Sequence, residues 1–280
     1  MSTSQSTTLS LDDGRQQSGV ICLANESRFS AANLSAPLTT FAVNWKDPQN
    51  LQGVLEFIAP TVYVPRRFEF RRALNAEAFL SESDDVRAIG AAFKRVEYSG
   101  DSVNAKNFNK GLTVRIDHDE EADGNWQERY VQLLLQRLLR NELRRAVAAL
   151  DAVAVNQAKT WDANANPDAD VRAALAAAAN TTGVRPNRVI YGEDAWFKRS
   201  DAYDTQNNAG ANRSAGMTPD ELAPRLFVDG VKVLSARYQD SATSKAKILG
   251  NTVYGYYADF SGVKDEPSNL KRFVTPTEQG

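Results

Sequence analysis

Cysteine and histidine are almost missing from this chain: 280 residues carry one of each, Cys22 and His118. One cysteine excludes an intrachain disulfide and a Cys₄ zinc site. One histidine excludes a two-histidine zinc helix and any pair of separate histidine-based centres. Long apolar runs are lacking too, since none approaches the roughly 18 residues that a membrane span requires. The N-terminal stretch MSTSQSTTLSLDDGRQQSG has no basic segment followed by an apolar one, so it does not read as a signal peptide. Neither a GxxxxGK[ST] loop nor a GxGxxG turn occurs. These absences lead us to expect a soluble protein made in a reducing cytosol, with no membrane partner. An excess of one charge is also wanting: 33 Lys and Arg face 35 Asp and Glu, for a net charge of −2. That balance argues against a chain that coats nucleic acid through a uniformly basic face, although it leaves room for a local basic patch. Counting does not exclude catalysis through Asp, Glu, Lys or Tyr.

What is present suits a sizeable core: 42% hydrophobic and 24% charged residues, in the globular range. Residues 1 to about 40 are rich in Ser, Thr, Asn and Gln without a sustained period. They read either as a frayed tail or, given Val20, Ile21, Leu23 and Phe29, as an arm that docks on a neighbour. Leu51, Val54, Leu55 and Ile58 have the spacing of a short amphipathic helix stopped by Pro60. Val62, Val64, Phe68 and Phe70 then alternate as in a strand with one buried face, with an edge or bend at Pro65. Residues 75–111 form a long polar excursion, and GLTVRID beyond it alternates again through Leu112, Val114 and Ile116. We expect these flanking strands to be the two legs of one extended hairpin loop.

The pattern then switches to WQERYVQLLLQRLLRNELRRAVAALDAVAVNQAKTW. Tyr130, Leu134, Leu138, Ala146, Leu150 and Val153 recur near the 3.6 period, with no Gly or Pro between Asn125 and Trp161. This predicts a single helix of roughly 50 Å. A coiled coil is the competing reading, but four clean heptads are not found. An alanine-rich helix, a stop at Gly183 and a buried strand RVIYG follow. MTPDEL carries an N-cap at Thr218, a first-turn Pro219 and a capping-box Glu221. Further strands surround the tight turn Asp229–Gly230. Helices and strands mix without a regular βαβ repeat, which points to an α+β fold.

The stretch GLTVRIDHDEEADGNW gathers Asp117, Asp119, Glu120, Glu121 and Asp123 around His118. As chemistry, Asp117, His118 and Asp119 would ligate a divalent metal with Glu120 as base. Adjacent residues on a strand face opposite ways, however, so Asp117 and Asp119 could share a metal while His118 turned away. As structure, Asn125 is an N-cap for the long helix with Glu128 as capping-box partner, and the preceding acids suit the positive end of its dipole. The structural reading accounts for every acid. The run RRFEFRR (Arg66–Arg72) interleaves basic and aromatic residues as a nucleic-acid grip would. An amphipathic strand with a charged outer face explains it as well and is favoured. Lys94, Lys106 and Lys110 read as solubilising charges. Trp196 and the tyrosines 254, 256 and 257 read as core or interface packing.

The succession LEFIAPTVYVPRRFEF, DVRAIGAAFKRVEYSG, NKGLTVRIDHDE, LLQRLLRNELRRAVAALDA and TTGVRPNRVIYGEDAW covers most of residues 50 to 200. In that order of parts the chain resembles the major capsid proteins of tailed bacteriophages. Their Hong Kong 97-type fold is shared with encapsulin shells and the herpesvirus capsid floor. The resemblance implies an N-terminal arm over residues 1–45, the start of a peripheral domain over 46–65 and an extended β-hairpin loop over 66–117. It further implies a peripheral domain with a spine helix over 118–167, an axial domain over 168–260 and a return to the peripheral domain over 261–280. By the same resemblance the chain is no enzyme and has no catalytic, cofactor-binding or metal-binding residues. It would assemble with itself into pentamers and hexamers of an icosahedral shell around double-stranded DNA, without sequence-specific binding, and would reside in the virion after assembly in the host cytoplasm. Its expected partners are a separate scaffolding protein, a portal and, where one exists, a decoration protein. The separate scaffold is expected because the polar arm leaves no room for a fused scaffolding domain. Family members add a further peripheral strand after the point where this chain stops, at Gly280. Some relatives crosslink a loop lysine to a neighbour's asparagine, and no motif here assigns that pair. The alternatives are an encapsulin-like compartment with protein cargo, a portal or decoration protein, and a metal-dependent hydrolase using Asp117 and Asp119.

Overall fold

The computed structural model describes residues 8–10, 16–18, 40–42, 44–73, 86–87, 89, 91–92, 100–114, 126–206 and 208–276. The chain divides into two compact units, Met1–Lys46 with Val114–Leu135, and Asp47–Thr113 with Gln136–Gly280. In the first unit β1 (Thr8–Ser10) pairs antiparallel with β2 (Gln16–Ser18). The second unit opens with α1 (Leu51–Ile58), β3 (Thr61–Tyr63), β4 (Arg67–Ala73) and β5 (Gly100–Lys106). The long helix α2 (Trp126–Val153) starts in the first unit and ends in the second. Then come α3 (Pro167–Thr182), β6 (Arg188–Gly192), α4 (Glu193–Asp204), α5 (Ala209–Ala215) and α6 (Pro219–Leu226). The last strands are β7 (Gly230–Leu234), β8 (Arg237–Gln239), β9 (Lys245–Lys247), β10 (Val253–Tyr256) and β11 (Arg272–Val274).

The centre of the second unit is a three-stranded sheet with β6 between β10, to which it is antiparallel, and β7, to which it is parallel. Side chains alternate across a strand, so this sheet separates two cores. Ile190, Leu234, Tyr254 and Tyr256 join Leu51, Leu55 and Ile58 of α1 and Leu143, Val147 and Leu150 of α2. On the other side Val189, Tyr191 and Val231 join Val171 and Leu175 of α3 and Leu222 and Leu226 of α6. Val189, Ile190 and Tyr191 are all fully buried, which explains why RVIYG reads as a continuous apolar run and not as an alternation. Each such side chain stabilises the fold by about 1.5–3 kcal/mol relative to exposure.

Local chemistry sets the boundaries. Asn166 caps α3 by accepting from Ala169 N–H, Pro167 occupies the first turn, and Gly183 ends the helix at φ 72°. Thr218 and Glu221 form the expected capping box of α6. Helix α1 ends at Ile58, with Ala59 as its extended C-cap directly before Pro60, and the alternation beyond it breaks at Pro65 into β3 and β4.

Three sequence expectations are corrected. The returning leg of the hairpin is not GLTVRID but GDSVNAK, β5, paired with β4 from Arg67↔Lys106 to Ala73↔Gly100. Val103 and Ala105 lie opposite Phe70 and Phe68, so a small or β-branched residue faces each ring on the covered side. Residues 107–114 have no regular structure, and Leu112 and Val114 are exposed. Helix α2 has 28 residues, about 42 Å, and stops at Val153 instead of continuing to Trp161. Its buried stripe Leu143, Ala146, Val147, Leu150 runs out there: Val153 and Val155 are exposed, and helix without packing is marginal. Finally, Asp229–Gly230 is no hairpin turn. Phe227 ends α6 in the left-handed region, Asp229 N–H donates to Asn187 O, and Gly230 begins β7 parallel to β6.

Candidate functional site

The β4–β5 hairpin contributes one buried side chain, Phe68, to the core of its unit. A two-stranded ribbon is marginal in water unless something covers one face. Among the described residues, aromatic cover lies at the root. Phe68 is buried, with its ring 4.8 Å from Phe273 and 6.1 Å from Phe70, and Phe70 lies 5.4 Å from Phe273. Phe273 belongs to β11, which runs parallel to β3 with Phe273 opposite Val62. Hydrogen bonds tie the same junction: Val64 N–H to Val274 O at 2.9 Å, Asn107 N–H to Arg66 O at 2.9 Å, and Asn107 Nδ2 to Thr275 Oγ1 at 2.8 Å.

The sequence RRFEFRR is thus an amphipathic strand, with Phe68 and Phe70 on the covered face and Arg67, Glu69 and Arg71 on the exposed one. Its free edge is partly closed. Lys264 Nζ donates to Glu69 O at 2.6 Å, and Asp265 Oδ1 accepts from Arg71 N–H at 2.8 Å. Side chains that occupy an edge in this way block non-specific strand addition. Toward the far end, Arg72 and Asp101 are exposed and 3.8 Å apart, an ion pair of little energetic weight.

Beneath the root lies a cleft of about 1130 Å³. Its apolar lining includes Leu55, Ala59, Ala146 and Phe273. Glu142, Arg145, Ala146 and Ala149 of α2 contribute at helical spacing, so one stripe of the helix forms one wall. Arg66, Lys106, Lys110 and Arg145 also line it, and none makes an ion pair among the described residues. The acid in the lining, Glu142, is engaged by Arg272 at 2.8 Å, while Lys271 pairs with Asp259 at 3.1 Å. The cleft is therefore positive in a chain whose net charge is −2. Sequence reading assigned Lys106 and Lys110 to solubility. Nothing local signals their convergence with Arg145, because the fold alone brings β5 and α2 to one cleft.

A second polar feature is buried. Asp168, in the first turn of α3, receives two hydrogen bonds from Arg199 of α4, Nε to Oδ1 at 2.7 Å and Nη2 to Oδ2 at 3.1 Å, with both side chains fully buried. Asp168 N–H donates to the Tyr203 hydroxyl, which in turn donates to Asn166 Oδ1 at 2.8 Å. Burial, with the Asp168 charge nearby, pushes the Tyr191 phenol well above its ordinary range. These groups do not line the cleft beneath the hairpin root; they join α3 to α4.

Asp117, His118, Asp119, Glu120 and Asn125 lie outside the described residues, as does Lys94. Among the described residues no group of three or more His, Cys, Asp or Glu could hold a metal ion, and no helix is long and apolar enough to cross a membrane. Trp196 packs edge-on against Tyr191 at 5.3 Å. Tyr254 and Tyr256 are buried, donating to Asp151 Oδ1 at 2.6 Å and to Phe57 O at 3.0 Å.

No family model matches the chain. No curated protein matches it either. Among solved structures it is similar to the crystal structure of a phage-related protein from Bordetella bronchiseptica RB50. The TM-score is 0.58 at 20% sequence identity, with 84% of this chain and 81% of that chain covered. At such an identity the likeness is one of fold: the chain has a mixed α+β architecture shared with a phage-related protein.

Proposed function

We propose that this chain is the major capsid protein of a tailed bacteriophage, built on the Hong Kong 97-type fold and acting as a structural subunit, not as an enzyme. Copies would assemble into pentamers and hexamers, and these into an icosahedral shell that encloses double-stranded DNA in the virion. A separate scaffolding protein, a portal and, where one exists, a decoration protein would complete the particle.

The observation that carries this reading is the β4–β5 hairpin, anchored at its root by Phe68, Phe70 and Phe273 and followed, as the next described element of the chain, by the long helix α2. An element that is packed at its root and otherwise mostly exposed suits a subunit whose contacts lie on its neighbours. Such contacts enlarge the buried area toward the ~2,000 Å² and more of permanent assemblies. Heterologous contacts of this kind close into rings. The fold likeness to a phage-related protein supports the same reading.

The test shortens the hairpin. Ala73 and Gly100 are the outermost paired residues among those described, so replacing positions 74–99 with Asn-Gly closes the ribbon there through a two-residue turn. The expected result is a folded subunit that melts as the full chain does and no longer forms shells. A shortened variant that assembles as well as the full chain would contradict the proposal.

A further inference from the structure

The positive cleft beneath the hairpin root is not used in the reading above. Arg66, Lys106, Lys110 and Arg145 are exposed, line the same cleft and have no acidic partner among the described residues. Between them lies apolar lining, and Tyr63 and Phe108 in the same lining are 71% and 75% exposed. Like charges held around one concavity focus a positive potential and favour an anionic occupant. A DNA duplex is a poor candidate, since binding by counterion release draws on cations spread along a face, and here they surround one partly apolar cleft.

The chain itself carries the complement. Asp117, Asp119, Glu120, Glu121 and Asp123 place five carboxylates in seven consecutive positions. We propose that the cleft of one copy docks the acidic stretch Asp117–Asp123 of a second copy, which rests on the reading of the chain as a shell subunit. Each copy then offers one cleft and one acidic stretch, so the contact is heterologous and propagates from copy to copy until a ring closes. Charge complementarity of this kind sets register and association rate, and salt weakens it.

Two charge-reversed variants test this. One carries Arg66→Glu, Lys106→Glu, Lys110→Glu and Arg145→Glu, the other Asp119→Lys, Glu120→Lys and Glu121→Lys, and circular dichroism melts check that both fold. Sedimentation velocity reads assembly, and fluorescence anisotropy reads binding of a labelled synthetic peptide of residues 115–125. The expected results are that the peptide binds the unmodified chain, at least tenfold more weakly the cleft variant, and less tightly as salt rises. Each variant alone should fail to associate, and an equimolar mixture should form even-numbered rings, in which the two variants alternate and each cleft meets a stretch of opposite charge on another copy. If the mixture stays unassembled while both sets of reversals in one chain restore shells, docking lies within a single copy and the proposal is overturned. Displacement of the peptide by a duplex of about 20 base pairs at matched charge would overturn it in favour of nucleic acid. Shells that form normally from the cleft variant would overturn it and leave the shell reading intact. Peptide binding by an unmodified chain that never assembles would uphold the recognition and contradict the shell reading.

Discussion

Arg199 grips Asp168 through two parallel hydrogen bonds, 2.7 Å and 3.1 Å, with no solvent exposure on either side chain. The pair joins the first turn of α3 to α4, and Arg225 of α6 approaches the same carboxylate at 3.6 Å. Removing one partner of a buried pair leaves the other charge without compensation. Asp168→Ala is therefore expected to destabilise the subunit by about 3–5 kcal/mol. Asp168→Ala combined with Arg199→Met should cost clearly less than the sum of the single changes, as measured by urea unfolding in a double-mutant cycle. Additive costs would contradict a coupled pair.

Phe273 is expected to hold the hairpin to the subunit. Phe273→Ala removes the ring that Phe68 and Phe70 pack against, and because the site is only half-buried the cost should fall near the low end of large aromatic truncations, about 3 kcal/mol. Hydrogen exchange should show β4 and β5 amides losing protection while β6 amides keep theirs. Equal loss in both sheets would mean that the hairpin is not a separately anchored element.

Gly192 ends β6 where the backbone of Gly250 passes too closely to admit a Cβ atom. Gly192→Ala must displace backbone, not a flexible side-chain tip, and should destabilise by about 3 kcal/mol, the upper part of the usual range for overpacking. An unchanged thermal midpoint would show that the strand can shift freely.

Alkaline pH should unfold the subunit through its buried phenols. Tyr191, Tyr254 and Tyr256 are all raised, chiefly by burial, and Tyr254 further by its hydrogen bond to Asp151. A folded-state value above the unfolded one means that the unfolded chain gives up its protons first. The contribution is complete below the unfolded phenol value of about 10 and is lost as pH rises beyond it. Urea midpoints should therefore fall progressively above that pH, together with the tyrosinate absorbance of the unfolding transition. Tyr254→Phe should flatten part of the fall.

Much of this fold was legible in periodicity. The stripe in α1, the capping box of α6, the stop at Gly183 and the buried strand β6 follow from local chemistry that tertiary contacts reinforce. The hairpin was legible as an excursion flanked by strands, but not in its register. GLTVRID alternates as well as GDSVNAK does, and only pairing against Phe68 and Phe70 distinguishes them. Helix α2 ended early for a related reason, since helix propensity continues past Val153 while its buried partners do not. The Asp168–Arg199 pair and the positive cleft were not legible, because each joins residues more than thirty positions apart whose local surroundings look like ordinary solvated charge. Asp168 in particular reads as a first-turn acid suited to a helix dipole, and it is also the buried anchor of the next helix.

The central claim, that this chain builds a closed shell, is tested most directly by sedimentation velocity with negative-stain electron microscopy of the full chain, expressed alone and with its genomic neighbours. The account predicts free pentamers and hexamers or closed icosahedral particles. A stable monomer under every condition would contradict it, and stoichiometric binding of a divalent metal by that monomer would turn attention to Asp117 and Asp119.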